Sequence, residues 1–326
     1  MKMIPWLLCG VLCCTSWVQA QSQTAHKDYP NHPIRMVVPY VAGGPMDFIG
    51  RALNQKMAPS LGQNFVIDNR AGAGGAIGTA MVAKSPPDGY TVLNTSSSHA
   101  SLPVVSPGLS YDPVKDFTPI TLVAHSVGFV VAVGPSVKAS TLQEFIADAK
   151  ARPEKLNYGS GGVGNVMQFA AEFFNTSAGT KINHVPYKGV GEAITDLMAG
   201  RIDVCIGSAT ALLPLVKSGK LRALAITGKT RWAMMPDVPT VDEAGVKGFF
   251  YTPWYGLWYP AGTPSEYVVR MRQEVLKALD DPEVKRSFAE QGYVTLGSTP
   301  TEFAKVIADE IEANKRLATK INFAAP

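Results

Sequence analysis

The 326-residue chain carries 30 Lys and Arg against 26 Asp and Glu, is 46% hydrophobic and 17% charged, and contains 30 Gly, 24 Pro and 4 Cys. These proportions describe a globular protein long enough for two domains and exclude disordered, collagen-like and disulfide-stapled chains. A net charge of +4 spread over scattered basic residues leaves no electrostatic footprint for nucleic acid.

Met1 to Ala20 opens with Lys2, runs apolar through Ile4, Trp6, Leu7, Leu8, Val11 and Leu12, and closes on Val18-Gln19-Ala20. This is the pattern of a secretory signal peptide cleaved near Ala20, too short for a spanning helix. Leu8, Leu12 and Cys13 precede Cys9, Cys13 and Cys14, so no lipid-anchor site is present and a free periplasmic protein is expected. The mature chain keeps Cys205 alone, in the apolar run Ile202-Asp203-Val204-Cys205-Ile206, which predicts a buried small hydrophobe and no internal disulfide. No later stretch is long and apolar enough to span a bilayer.

Ile34 to Val38 reads as a strand, the turn Ala42-Gly43-Gly44-Pro45 follows, and Phe48, Ile49, Ala52, Leu53 and Met57 recur at helical spacing. Phe65-Val66-Ile67 and Tyr90-Thr91-Val92-Leu93 continue as strands, with a helix near Ala76 to Lys84 between them. The alternation predicts α/β organisation with a largely parallel sheet. A second series begins near residue 127: strand Phe129 to Val133, helix Leu142 to Ala151, strand Leu156 to Tyr158, helix Val166 to Phe174 and strand Ile182 to Val185. It continues through helix Glu192 to Met198 and strands Ile202 to Ile206 and Leu221 to Thr227. Arg231 to Tyr251 reads as an irregular excursion, Trp254 to Tyr259 as a strand, and Ser265 to Leu279, Pro282 to Gln291 and Pro300 to Lys320 as closing helices. Two α/β lobes follow.

Two glycine loops carry the chemistry. In Tyr40-Val41-Ala42-Gly43-Gly44-Pro45-Met46-Asp47 a strand ends and a helix begins, so free N–H groups and the helix dipole favour an anion. Asp47 serves there either as a helix cap or as a ligand partner. Tyr158-Gly159-Ser160-Gly161-Gly162-Val163-Gly164-Asn165 repeats the design and contains a literal G-x-G-x-x-G. A dinucleotide site would place an acid at the end of the next strand, whereas this one ends Asn183-His184-Val185-Pro186-Tyr187. The stretch Arg70 to Gly78 lacks the Lys and Ser or Thr of a phosphate loop.

The five His residues lie in separate segments without ligand spacing, so no metal site is expected. Ser160 invites comparison with a hydrolase nucleophile, but Tyr158 occupies the first Gly position of G-x-S-x-G. Asp203 reads either as a strand-end residue or as a ligand contact.

Pro39-Tyr40-x-Ala42-Gly43-Gly44-x-x-Asp47, Asn69-Arg70-x-Gly72-Ala73-Gly74-Gly75, Asp88-Gly89-Tyr90-Thr91, Tyr158-Gly159-Ser160, His184 to Gly189, Pro236 to Thr240 and Pro260 to Pro264 occur in this order along nearly the whole mature chain. In these motifs the chain resembles the Bug family, the extracytoplasmic solute-binding receptors of tripartite tricarboxylate transporters. The resemblance implies a type II periplasmic-binding-protein fold: two α/β lobes joined by two crossing hinge strands, with a ligand cleft between them and hinge closure on binding. The hinge strands fall near Gly128 to Gly134 and Tyr255 to Tyr259, placing residues 21–126 and 257–326 in the first lobe and 127–256 in the second.

The resemblance also implies a small carboxylate, aliphatic or aromatic, as ligand and no enzymatic activity, cofactor or metal. It implies a monomer that delivers its ligand to membrane transporter subunits or reports it to a membrane sensor. Carried over, Tyr40, Ala42, Gly43, Gly44, Met46 and Asp47 of the first lobe bind ligand, with Ser96 and Ser97 after the third strand. The second lobe supplies Ser160, Gly161, Gly164, Asn165, Gln168, Tyr187 and Asp203. Three positions depart from the family pattern: Gln168 where many relatives carry His, Met46 where a small residue is frequent, and Tyr259 where Ala is common. The aromatic run Trp254 to Tyr259 is read either as ligand wall or as lobe core and hinge packing.

Overall fold

The computed structural model describes residues 29–106 and 108–319; the signal segment read from the sequence lies outside them. The chain opens with β1 (Ile34–Val38), α1 (Pro45–Leu61), β2 (Phe65–Asn69), α2 (Ala76–Ala83), β3 (Thr91–Ser96), α3 (Ser98–Val105) and β4 (Phe117–Ser126). It crosses to β5 (Phe129–Val133), α4 (Leu142–Ala151), β6 (Asn157–Ser160), α5 (Val166–Ala178), β7 (Asn183–Pro186), α6 (Val190–Met198), β8 (Val204–Ser208), α7 (Ala209–Lys217) and β9 (Arg222–Ile226). It then returns through β10 (Trp254–Pro260), α8 (Ser265–Asp280), α9 (Pro282–Glu290), β11 (Tyr293–Thr295) and α10 (Pro300–Ala318).

Two sheets result, ordered β11-β4-β10-β3-β1-β2 and β7-β6-β8-β5-β9. Each is parallel in only one half: β2, β1 and β3 run together, as do β7, β6 and β8, while β4, β5, β9, β10 and β11 pair antiparallel. The largely parallel sheet expected from the alternation is thereby corrected. The strands by which the chain enters each sheet from the other lobe, β5 and β10, run opposite to the parallel set, while β4 and β9, by which it leaves, flank them and run with that set. The expected hinge runs also shift: β5 bonds only within the second sheet and β10 only within the first. The crossings are the residues just before them, where Gly128 abuts Gly228 and Ser126 N–H donates to the Pro253 carbonyl. Residues 254–256 accordingly pair with the first sheet.

β1 shows why the first lobe has three layers. Ile34, Met36 and Val38 face the core under α1, α8 and α9, while Val37 faces the core under α10 with Trp258 and Phe303. All four β1 side chains are fully buried, at about 1.5–3 kcal/mol each. Trp258 and Tyr259 are also fully buried, so most of the aromatic run packs the lobe. Cys205 is a buried core thiol, which burial pushes up to about 12.

Candidate functional site

The parallel strands of both sheets aim their carboxyl ends at the gap between the lobes, the place where open α/β sheets hold ligands. Tyr40 follows β1, Ser96 ends β3, Gly161 follows β6 and Ser208 ends β8, and all four line a cavity that is partly open to solvent. Phe129 and Tyr255 lie near the starts of antiparallel strands, opposite Ser208 and Ser96 respectively, so they reach the same edge.

The first-lobe floor is the start of α1. Gly44 in extended backbone caps the helix and Pro45 occupies its first turn, leaving the next amides without intrahelical acceptors. Asn94, fully buried beneath the loop, donates to the Met46 carbonyl at 2.8 Å and fixes its height. The Tyr40 hydroxyl lies 3.3 Å from Ser96 Oγ. Ala42 and Gly43 are exposed on the turn and do not line the cavity.

Asp47 turns away from the cavity. Its carboxylate accepts the Gly43 N–H at 3.0 Å and the Arg51 guanidinium at 2.9 and 3.0 Å. Burial alone would raise this carboxyl, but the Arg51 and Gly43 bonds hold it below the usual carboxylate range. Ser97 is also buried outside the cavity lining, its amide bonded to the Trp254 carbonyl.

In the second lobe a chain of side-chain hydrogen bonds shapes the glycine loop. The Gly164 N–H donates to Gln168 Oε1 at 2.8 Å, which leaves the Gln168 amide NH₂ to donate to His184 Nδ1 at 3.1 Å. His184 therefore carries its proton on Nε2 and donates it to Ser160 Oγ at 2.6 Å. Ser160 Oγ in turn donates to the Gly162 carbonyl at 3.2 Å and accepts the Gly162 N–H at 3.2 Å. Burial drives His184 down to about 4, so the imidazole is neutral at ordinary pH. A nucleophilic serine needs a free imidazole nitrogen to take its proton; here that nitrogen is the donor. Ser160 is also fully buried.

Gly161 and Asn165 line the cavity, and Asn165 Oδ1 caps α5 by accepting the Met167 N–H at 2.9 Å. Tyr187 points away and donates to Asp196 at 2.8 Å, while its neighbours Lys188 and Gly189 line the cavity. Asp203, expected in the cleft, lies at the opposite edge of the sheet, where its carboxylate accepts the Asn157 N–H at 2.8 Å. It precedes β8, whose far end, about 17 Å away at strand rise, presents Ser208 instead.

Of the expected residues, Tyr40, Gly44, Met46, Ser96, Gly161 and Asn165 meet around the cavity. Phe129, Val166, Met167, Lys188, Val190, Ser208 and Tyr255 join them without having been singled out as ligand contacts. Strand polarity was the available signal for Ser208; Phe129 and Tyr255 depend on antiparallel register, which periodicity does not carry.

The lobes are in contact beside the cavity. Ser98 Oγ of α3 accepts the Val166 N–H at 3.0 Å, and Ser101 Oγ donates to the Gly164 carbonyl at 2.8 Å. Gly74 sits under the Val163 carbonyl, which would lie 2.6 Å from a Cβ at that position. Among the described residues no cluster of His, Cys, Asp and Glu is arranged to hold a metal.

Comparison with known proteins decides the family. The model of the tripartite tricarboxylate transporter family receptor matches residues 49–323. The chain belongs to that family. Protein BugT of Bordetella pertussis is 37% identical over 306 residues, covering 93% of each chain. Among solved structures, Rhodopseudomonas palustris Rpa4515 with adipate superposes with a TM-score of 0.85 at 33% identity, covering 89% of this chain and 97% of that one. MatC of the same organism with bound malate gives 0.83 at 30% identity, covering 89% and 99%. These relatives share the two-lobed periplasmic-binding fold.

Proposed function

We propose that this family member is a periplasmic receptor that captures a small carboxylate between its lobes and delivers it to a tripartite membrane transporter, without making or breaking a bond. The observation that carries the reading is the start of α1, whose free amides and the Gly161–Asn165 loop of the other lobe line one cavity between the lobes. The adipate and malate held by the two relatives support the ligand class. Tyr40, Gly44, Met46, Ser96, Gly161 and Asn165 are the contacts; Asp47, Ser160, Gln168 and Tyr187 hold the loops in shape. The hydrogen-bond direction through His184 opposes the hydrolase reading of Ser160.

The test is a thermal-shift and calorimetric screen of the mature protein against carboxylates. At a hundred times Kd a ligand adds about 2.7 kcal/mol, an upward shift of several degrees for a chain of this size. Gly161→Leu adds a side chain whose Cβ would lie 3.3 Å from Asn165 Cγ and Nδ2, crowding two cavity-lining residues, and is expected to abolish that shift while the ligand-free protein stays folded. Wild-type affinity in this variant would place the site elsewhere, and silence from every carboxylate would refute the ligand class.

A further inference from the structure

We infer that Tyr293, which does not line the cavity, is a positioning residue for the ligand: its hydroxyl, anchored on Thr210 of the second lobe, holds two cavity-lining hydroxyls contributed by opposite lobes, Tyr255 and Ser208. The inference deepens the receptor reading and rests on it. Both hydroxyls lie at the end of the cavity nearest the crossings, since Tyr255 stands two residues past Pro253 and Ser208 pairs with Phe129, the residue after Gly128.

The turn between α9 and β11 belongs to the first lobe but rests on the second. The Gly292 carbonyl accepts the Val127 N–H at 2.8 Å, and Trp232 Nε1 donates to the Ala289 carbonyl at 3.4 Å. A Cβ at Gly292, where φ is +78, would lie 3.2 to 3.4 Å from Val127, Trp232 and Ala209, so glycine permits the close approach. Tyr293 follows this turn and is 2% exposed. Its ring packs against Phe48 of α1 and against Phe288 and Tyr255, with centroids 5.9, 6.1 and 5.3 Å away, which brings its hydroxyl to the start of α7.

The proton directions there are determined. Thr210 Oγ1 lies 2.9 Å from the Gln291 carbonyl and 2.7 Å from the Tyr293 hydroxyl. A carbonyl only accepts, so the single Thr210 proton goes to Gln291 and Tyr293 donates its own to Thr210. Burial pushes the Tyr293 phenol up to about 12, so that proton is present at working pH. The Tyr293 oxygen is left as an acceptor for its other two hydroxyl neighbours, Ser208 and Tyr255. Each has one proton to give, and giving it to Tyr293 leaves its oxygen an acceptor toward the cavity it lines. Two contacts from opposite lobes thus share one fixed oxygen, which sets their spacing.

Calorimetry with malate, adipate, hexanoate and benzoate tests the assignment, using the acid that wild type binds most tightly. Tyr293→Phe keeps the ring and is expected to lose about tenfold in affinity, the worth of one or two hydrogen bonds. Thr210→Val removes the anchor from the other lobe without touching the cavity lining and should lose a similar factor. On a background of Ser208→Ala with Tyr255→Phe, where the held hydroxyls are gone, Tyr293→Phe should cost about twofold or less. Tyr29→Phe is the control: it removes a hydroxyl bonded to the Gly89 carbonyl at 2.7 Å and to the Tyr259 hydroxyl at 2.8 Å, beside the amino end of β3 and away from the cavity. It should lower Tm with affinity unchanged. Wild-type affinity in both Tyr293→Phe and Thr210→Val, or a Tyr293→Phe loss as large without the two held hydroxyls as with them, overturns the inference and leaves the receptor reading standing. No binding of any acid by a wild-type protein that melts cooperatively overturns both.

Discussion

Gly74 offers a way to separate lobe closure from ligand contact. It adopts φ +64 in the loop before α2, and an added Cβ would meet the Val163 carbonyl of the other lobe at 2.6 Å, with Leu102 Cδ2 at 3.3 Å. Ordinary contact lies near 3.4 Å or beyond, so Gly74→Ala forces the lobes apart at this point. The bonds lost with that contact are Ser98 Oγ to Val166 N–H and Ser101 Oγ to the Gly164 carbonyl, at about 1 kcal/mol each. With ligand held between the closed lobes, as proposed, a closed state disfavoured by about 2 kcal/mol weakens apparent affinity by about 30-fold. The left-handed backbone also costs about 1 kcal/mol in stability wherever alanine replaces glycine. Gly62→Ala supplies the control: its φ is +68 and nothing lies within 4 Å of the new Cβ. Both variants are expected to melt lower, but only Gly74→Ala loses affinity in calorimetry and shows a larger radius of gyration with ligand. Equal affinities in the two variants would refute the closure argument.

Three further outcomes follow from the buried charges. Burial raises Glu310, which accepts a bond from Trp254 Nε1, to about 7; because the folded state holds this proton more tightly, stability falls by roughly 3 kcal/mol as pH rises from 4.5 through 7. Glu310→Gln should remove that slope and raise Tm at pH 8 but not at pH 4.5; an unchanged profile would show the carboxyl to be hydrated. His184 has the opposite sign, its neutral form stabilising the fold above pH 6.5 and the contribution vanishing as pH falls through about 4, so its ring protons should titrate near 4 by NMR rather than near 6.5. Asp47→Asn should lower Tm through the lost Arg51 pair yet leave carboxylate affinity within about threefold, or about 0.6 kcal/mol; a larger loss by calorimetry would put this side chain back in the cleft.

The parts of the fold readable in the sequence were those set by local physics. β1 and α1 announce themselves through an apolar run, a paired-glycine turn, Pro at the helix start and 3.6-residue spacing, and the second lobe repeats the plan. α3 and α7, the former short and lacking an amphipathic stripe, the latter interrupted by Pro214, were not read as helices. β4, ten residues long, was missed because its partners β10 and β11 follow far later in the chain and its burial does not alternate cleanly. The family motifs supplied the two-lobed arrangement that periodicity alone could not.

The site divides along the same line. Recognition by backbone amides needs only small residues at strand-to-helix turns, so Gly44, Gly161 and Asn165 could be picked from the sequence. The two acids expected in the cleft held signals that went unused: Arg51 stands four residues after Asp47, the spacing of a helical ion pair, and Asp203 stands at the amino end of a strand whose partners point their carboxyl ends at the cavity. The apolar walls left no such trace, because Phe129, Val166 and Met167 have the same composition, burial and spacing as core residues and become walls only when the second lobe meets the first. On the proposed reading, specificity would reside in residues that look structural, while the residues that look functional would hold the carboxylate shared by every ligand of the class. A library varied at Met46, Phe129, Met167 and Val190 should shift ligand preference with the glycine loops untouched.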